Sequence, residues 1–94
     1  MRMARDDIEW VREDAEGERI EIKARQIRER WDFYWRPGRS YGWEKLPEPL
    51  LEDWLEVLDG VERRVQRRQY PLDEPAKVRR AIRRRFPRAA LDEG

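Results

Sequence analysis

The sequence predicts an α+β fold, in which a small antiparallel sheet from the N-terminal half is packed by two C-terminal α-helices. Apolar residues alternate with polar ones before Pro47–Pro49 and recur at helical spacing after it. The 94 residues also suit a single domain with a small core. We therefore expect one domain over 1–94, mainly β in 6–46, with helices over 49–69 and 74–86 and a frayed tail over 88–94.

The first two strands are predicted at Ile8–Val11 and Arg19–Ala24, joined by a turn that contains Gly17. In the second strand, apolar and charged residues alternate strictly, which is the period of a strand with one buried face. The apolar positions are Ile20, Ile22 and Ala24.

Aromatic residues mark a third strand, where Trp31, Phe33 and Trp35 alternate with polar residues. The apolar positions change here from even to odd numbers, and a bulge at 25–27 would account for the change. The segment 37–40, with its Pro-Gly pair, is typical of a turn. A further strand is expected to return over 41–46, forming a hairpin.

A helical interpretation of the same region competes with the strands. Ile20, Ala24, Ile27, Trp31 and Tyr34 are spaced four, three, four and three apart, as on one face of a helix. A helix over 18–35 would make the protein an all-α bundle. The β-favouring aromatic content of 31–35, with a glycine at position 17, favours strands.

The two helices are predicted from apolar stripes and from signals at their ends. The first stripe runs from Leu51 to Val65, with acidic residues at its start and arginines at its end, the order that the helix dipole favours. Asp73 suits the cap of the second helix, and Pro75 suits its first turn. Pro87 is expected to end that helix.

Charge is divided unequally along the chain. Residues 1–60 contain 11 basic and 16 acidic residues, a net charge of −5, whereas residues 61–94 contain 11 basic and 5 acidic residues, a net charge of +6. Many arginines in the two helices lie four residues apart, where each like-charge pair destabilises an isolated helix by about 0.2–0.5 kcal/mol. Some negative charge must offset this repulsion.

Three sources of that negative charge are open: nucleic-acid phosphate, the acidic half of the same chain, or the acidic surface of another protein or of a second copy. We expect a non-catalytic binding or interaction module with an Arg-rich helical face, with nucleic acid as one possible partner. The alternative is a structural or regulatory protein that self-associates, as a homodimer or a subunit of a complex, by pairing acidic and basic surfaces. The arginines expected to contact an anionic partner are Arg63, Arg64, Arg67, Arg68, Arg79, Arg80, Arg83 and Arg84.

Aromatic residues interleaved with arginines in 31–43 suggest a second contact surface. Exposed rings beside arginines can stack on the bases of single strands. Trp31, Phe33 and Trp35 are expected in the core, which leaves Tyr34, Tyr41 and Trp43 as the candidate stacking residues.

The composition argues against catalysis. The chain has no His and no Cys, so the commonest general base and the thiol nucleophile are missing. Ser40, the only serine, has no histidine to activate it, and acidic clusters on exposed faces are usually solubilising. We therefore expect no enzymatic activity, no cofactor and no metal site. No apolar run is long enough for a membrane span or a signal peptide, so a cytoplasmic protein without membrane contact is expected.

Overall fold

Four β-strands followed by two α-helices make up the computed structural model, which describes residues 7–91. They form two compact units, one ending at Pro49 and the other beginning at Leu50. This confirms the predicted α+β class, and the all-α alternative is wrong. The elements are β1 (Ile8–Glu13), β2 (Arg19–Ile27), β3 (Arg30–Arg36), β4 (Glu44–Lys45), α1 (Leu51–Gln66) and α2 (Glu74–Arg85).

The strands form one antiparallel sheet in the order β1-β2-β3-β4, so each strand pairs with its neighbour in sequence. In the first pair of strands Ile8 lies opposite Ala24, and in the second Phe33 lies opposite Ala24 from the other side. Residues opposite each other across a sheet share a face, so the alternation of β2 extends to both neighbours.

No bulge interrupts β2, so the prediction of one at 25–27 is wrong. The strand continues to Ile27, and only Arg28 and Glu29 separate it from Arg30, its partner in β3. This two-residue connection places even positions of β2 opposite odd positions of β3, which accounts for the change of parity. Arg28 has a φ of 58°, a left-handed conformation at the first turn position.

The turn between β1 and β2 is held by Asp14 and permitted by Gly17. The Asp14 carboxylate accepts hydrogen bonds from the backbone N–H groups of Glu16 and Glu18, both at 2.9 Å. Gly17 has a φ of 81°, where a side chain would be strained. The predicted turn is therefore closed by an aspartate side chain that accepts hydrogen bonds from backbone N–H groups two and four residues later.

The fourth strand is shorter than the predicted 41–46. The N–H of Tyr41 donates to the carbonyl of Gly38 within the preceding turn, so it is unavailable to the sheet. After Lys45, the Leu46 N–H still donates to the Phe33 carbonyl at 2.9 Å, but Pro47 has no N–H with which to continue the ladder.

The apolar face of the sheet lies where the alternation predicted it. Ile20, Ile22 and Ala24 are buried, as are Ile8 and Phe33 on the neighbouring strands. The ring of Trp10 meets Phe33 edge to face, with 6.3 Å between centroids. Edge-to-face packing is the arrangement that the ring quadrupoles favour.

Helix α1 begins at Leu51, two residues later than predicted. The Asp53 carboxylate accepts a hydrogen bond from the Leu50 N–H at 2.9 Å and so satisfies one of the donors left over at a helix start. Trp54 and Val57 are among the residues that this helix buries, and the helix passes through Gly60 without a break.

The C-terminal end of α1 is closed by an arginine in an unusual conformation. Arg68 has a φ of 64°, and its N–H donates to the Val65 carbonyl. The N–H of Gln69 donates to the Arg64 carbonyl. These two bonds form a Schellman motif, in which the left-handed residue is usually glycine.

Helix α2 begins after Asp73, with Pro75 in its first turn, as predicted. Asp73 makes no capping hydrogen bond through its side chain, which instead forms an ion pair with Lys77. The helix buries Val78 and Ile82. It ends at Arg85, and residues 88–91 belong to no helix or strand; 92–94, the rest of the predicted tail, lie outside the described residues. Neither helix has the length and apolarity needed to cross a bilayer.

Candidate functional site

The helices α1 and α2 run antiparallel, as two side-chain contacts show. Glu62 accepts a hydrogen bond from Arg79, and the guanidinium of Arg85 lies 4.9 Å from the centre of the Trp54 ring. Moving towards the start of α1 therefore means moving towards the end of α2. The acidic start of α1 consequently lies level with the basic end of α2, which lowers the cost of the arginine repulsion.

Three of the eight predicted arginines are engaged within the helical unit. Arg63 forms an ion pair with Asp59, one turn earlier in α1. Arg64 donates to the Gly60 carbonyl at 3.0 Å, and Arg79 binds Glu62 on the neighbouring helix. Part of the arginine charge is therefore answered by acidic and carbonyl groups of the same unit.

Four other predicted arginines are exposed and form no side-chain hydrogen bond or ion pair with any residue among 7–91. Arg80 and Arg84 occupy successive turns of α2, so they share one side of that helix. Arg67 and Arg68 follow the last turn of α1. Arg83, the eighth residue, is also exposed and lies beside Arg84 in sequence.

These four arginines form two separate pairs rather than one continuous face. Arg67 lies five residues beyond Glu62, and Arg84 lies five residues beyond Arg79, in opposite directions along the hairpin. At 1.5 Å of rise per helical residue, Arg67 is about 15 Å from Arg84 and about 9 Å from Arg80 along the helix axes. An anion that contacts all four arginines must therefore be extended.

Arg85 was not among the predicted site residues, although its guanidinium lies over Trp54 and donates to the Ala81 carbonyl at 3.2 Å. Nothing in the local sequence marks Arg85 out from Arg83 and Arg84, because all three are consecutive arginines. The contact depends on which of them points towards α1.

The second predicted surface, with its aromatic rings, lies in the strand unit. The sheet has one side that carries the buried apolar residues and a second side that we call the charged face. Cross-strand pairing places Tyr34 between Lys23 and Lys45 on this face. The side chains that make up the described charged-face cluster are Asp7, Glu21, Lys23, Arg25, Asp32, Tyr34, Arg36, Trp43 and Lys45.

Two of the three predicted stacking residues contact cations of the charged face. The Arg36 guanidinium lies 4.1 Å from the centre of the Trp43 ring, and the Lys23 ammonium lies 4.5 Å from it. Lys23 and Lys45 each lie 5.5 Å from the centre of the Tyr34 ring. These are cation–π distances, so the rings are engaged by neighbouring side chains.

Tyr41 is not brought into this cluster by any described contact. It lies in the turn before β4 and is 59% exposed. Of the predicted core aromatics, Phe33 is buried, whereas Trp31 and Trp35 are half-buried.

Each acidic member of the cluster binds a cation. Asp7 accepts two hydrogen bonds from Arg25, both at 3.1 Å, and this raises the pKa of Arg25 above its usual value. Glu21 accepts one from Arg36 at 2.7 Å. Asp32 accepts two from Arg30. Paired carboxylates and guanidiniums of this kind form strong, directional contacts.

Lys23 stands at the centre of the charged face, and it is only 8% exposed. Its ammonium lies 3.9 Å from a carboxylate oxygen of Asp7 and makes no hydrogen bond to a residue within 7–91. Burial, followed by the charge of Arg25, lowers the pKa of Lys23 from its ordinary value of 10.5. A buried cation with this environment is a candidate functional residue.

The sequence contained a signal for Lys23 that the prediction did not use. Lys23 is one of only three lysines, and the alternation of β2 places it on the opposite face from Ile22 and Ala24. Its burial depends on the rings of Tyr34 and Trp43, which approach from β3 and from the segment before β4.

No group of three or more acidic, His or Cys side chains is placed to hold a metal ion anywhere in residues 7–91.

No protein-family model, curated protein or solved structure matches this chain.

Proposed function

We propose that this protein is a non-catalytic module that binds nucleic acid through the exposed arginines of its helical unit. The observation that carries the proposal is the pair Arg80 and Arg84. They lie on successive turns of α2, repel each other, and have no acidic partner among the described residues. A bound phosphate chain would offset this repulsion.

The placement of Arg67 and Arg68 supports an extended ligand over a small anion. Arg67 lies about 9 Å from Arg80 and about 15 Å from Arg84 along the helix axes. Successive phosphates of one strand in a duplex are about 3.4 Å apart along its axis, so a few nucleotides span the gap. A polymer can engage all four arginines, whereas a small anion cannot.

Salt-dependent binding tests this proposal. Fluorescence anisotropy of labelled single-stranded RNA, single-stranded DNA and duplex DNA is measured over a range of NaCl concentrations. Binding through phosphates gives a log–log plot of affinity against salt with a steep negative slope. The variant Arg80→Gln/Arg84→Gln should bind more weakly to all sequences, with a slope reduced by about 2.

The matched control is Arg28→Gln/Arg39→Gln, which removes two exposed arginines of the strand unit and so changes the net charge equally. It should retain most of the affinity. Loss of binding in both variants would mean that net charge alone drives the interaction. Absence of binding to every nucleic acid at low salt would overturn the proposal.

Self-association is the second candidate function, and α1 supplies the observation that favours it. Glu52 and Glu56 lie on successive turns, are exposed, and have no ion pair within residues 7–91. They match Arg80 and Arg84 in spacing and are opposite in charge. One copy could therefore pair its α1 with α2 of another. Sedimentation of a monomer at high protein concentration and low salt would exclude this function.

A further inference from the structure

The ammonium of Lys23 has donors that the described residues do not use. A lysine ammonium has three N–H donors. Both oxygens of the nearest carboxylate, Asp7, already accept hydrogen bonds from Arg25. Asp7 lies 3.9 Å from the Lys23 ammonium, beyond a direct hydrogen bond. The ammonium nitrogen is not among the fully buried polar atoms of residues 7–91 that lack a partner, so its N–H donors are left to solvent or to a ligand.

The charges around Lys23 favour an anion as the ligand of these donors. Arg25 is neutralised by Asp7, and Arg36 is neutralised by Glu21. Lys23 has only an ion pair of 3.9 Å with Asp7, just as Lys45 has only one of 3.9 Å with Asp32. Glu9 lies opposite Lys23 on β1 and contributes some negative charge. The basic side chains on this face outnumber the acidic ones by five to four, which leaves one positive charge in excess: Lys23, Arg25, Arg30, Arg36 and Lys45 against Asp7, Glu9, Glu21 and Asp32.

The surroundings also limit the size of the ligand. The rings of Tyr34 and Trp43 lie 5.5 Å and 4.5 Å from the Lys23 ammonium. Because Lys23 is 8% exposed, the internal phosphodiesters of a polymer cannot approach it closely. Lys45, which is 59% exposed at its side chain, offers a second cation on the other side of Tyr34.

We infer that Lys23, with Tyr34 and Trp43 beside it, forms a binding site for a small oxyanion of the phosphate class, either free phosphate or a terminal phosphate group. This site lies in the strand unit and is independent of the function proposed for the helical arginines. A lysine ammonium binds a phosphate group as a point charge and can donate a charge-assisted hydrogen bond to one of its oxygens.

Lysine side-chain NMR tests this inference directly, since the chain contains only three lysines. The ammonium signals of Lys23, Lys45 and Lys77 are followed during titration with inorganic phosphate, with NaCl adjusted to keep ionic strength constant. A nucleoside 5′-monophosphate forms the second arm and separates free phosphate from a terminal phosphate group. Lys77, which pairs with Asp73 and Glu74 on α2, is the internal control.

Binding should shift the Lys23 signal saturably and leave the Lys77 signal unchanged. Bound phosphate should also raise the pKa of Lys23, because the anion stabilises the charged ammonium. The variant Lys23→Met should lower the phosphate affinity by roughly tenfold or more, as expected when charge-assisted hydrogen bonds are lost. The variant Lys77→Met should bind phosphate as the wild type does.

A Lys23 signal that moves no more than that of Lys77, or a pKa unaffected by phosphate, would overturn the site. These outcomes are separable from those for nucleic acid. Lys23→Met should retain polymer binding, and Arg80→Gln/Arg84→Gln should retain the phosphate response. Either proposal can therefore fail while the other stands.

Discussion

The guanidinium of Arg79 on α2 donates a hydrogen bond to the carboxylate of Glu62 on α1, with 2.5 Å between the atoms. Arg79 is 13% exposed at its side chain, so most of it is removed from water. This contact separates Arg79 from its sequence neighbour Arg80, which is exposed. Adjacent arginines in one helix consequently have different surroundings, one contacting the other helix and the other exposed to solvent.

Glu62→Gln should destabilise the protein by about 1 kcal/mol, because it removes the charge that answers a largely buried guanidinium. Denaturant unfolding measures the change. The matched control is Glu56→Gln, a substitution of an exposed glutamate on the same helix, which should alter stability by less than about 0.5 kcal/mol. Equal effects of the two substitutions would show that the contact with Arg79 contributes nothing.

Arg68→Gly should make the protein more stable than Arg67→Gly by about 1 kcal/mol. The two variants lose the same charge, but only position 68 has a left-handed backbone, with a φ of 64°. Glycine adopts that conformation without the steric cost that arginine carries there. Thermal unfolding of both variants compares them, and a less stable Arg68→Gly would contradict the Schellman geometry.

Lys23→Met should be at least as stable as the wild type at neutral pH, because it removes a buried charge while Asp7 keeps its two hydrogen bonds to Arg25. The pKa of Lys23 is lowered in the folded state, so the folded chain binds the lysine proton less tightly than the unfolded chain does. The loss of stability caused by burying the charged ammonium is therefore complete below the pKa of the folded state. It is relieved as the pH rises towards 10.5.

The stability difference between Lys23→Met and the wild type should accordingly shrink as the pH rises towards 10.5, the ordinary lysine value. Urea unfolding at a series of alkaline pH values measures this difference. Lys77→Met serves as the control, since Lys77 is 40% exposed at its side chain. A difference that grows with pH would have the wrong sign for a lowered pKa.

Arg36→Lys should destabilise the strand unit by about 1 kcal/mol. The guanidinium of Arg36 both donates to Glu21 and stacks near Trp43, and a lysine cannot reproduce the planar stack together with the directed hydrogen bond. Tryptophan fluorescence during unfolding reports the loss. Arg39→Lys, at an exposed position without a described partner, should have little effect; if it is equally destabilising, the stacked contact is not the cause.

Asp53→Ala should lower the free energy of unfolding by about 0.5–2 kcal/mol, the usual range for a lost helix cap. The Asp53 carboxylate accepts a hydrogen bond from the Leu50 N–H, and Asp53 is fully buried. Chemical denaturation followed by circular dichroism measures the change. Glu52→Ala, an adjacent exposed acid in the same helical turn, should cost much less, and a similar cost would assign the effect to the helix dipole instead.

The local pattern of the sequence was sufficient to predict the class of the fold and the positions of most elements. The alternation of Ile20, Ile22 and Ala24 predicted a strand with one buried face, and all three residues are buried. The apolar spacing after Pro49 predicted both helices to within three residues at their ends. Periodicity depends only on neighbours along the chain, so it can be read without a structure.

The pairing of strands could not be predicted in the same way. The change of parity between β2 and β3 suggested a bulge, but it arises from a turn of only two residues, Arg28 and Glu29. An arginine at a turn position that glycine usually occupies gave no sign of so tight a connection. The predicted bulge was therefore wrong because the turn was not recognised, whereas the hydrophobic pattern of the strands was correct.

The sequence by itself determined which segments form strands and which form helices. It also determined the division of charge and the lack of imidazole and thiol side chains. Only the tertiary structure decided which basic side chains contact acidic or aromatic side chains of the same chain. Arg79 of α2 binds Glu62 of α1, and Lys23 is covered by the ring of Tyr34 from β3 and the ring of Trp43 from the segment before β4. Such contacts join residues distant in sequence, and their geometry depends on register and helix packing, which composition and periodicity do not encode.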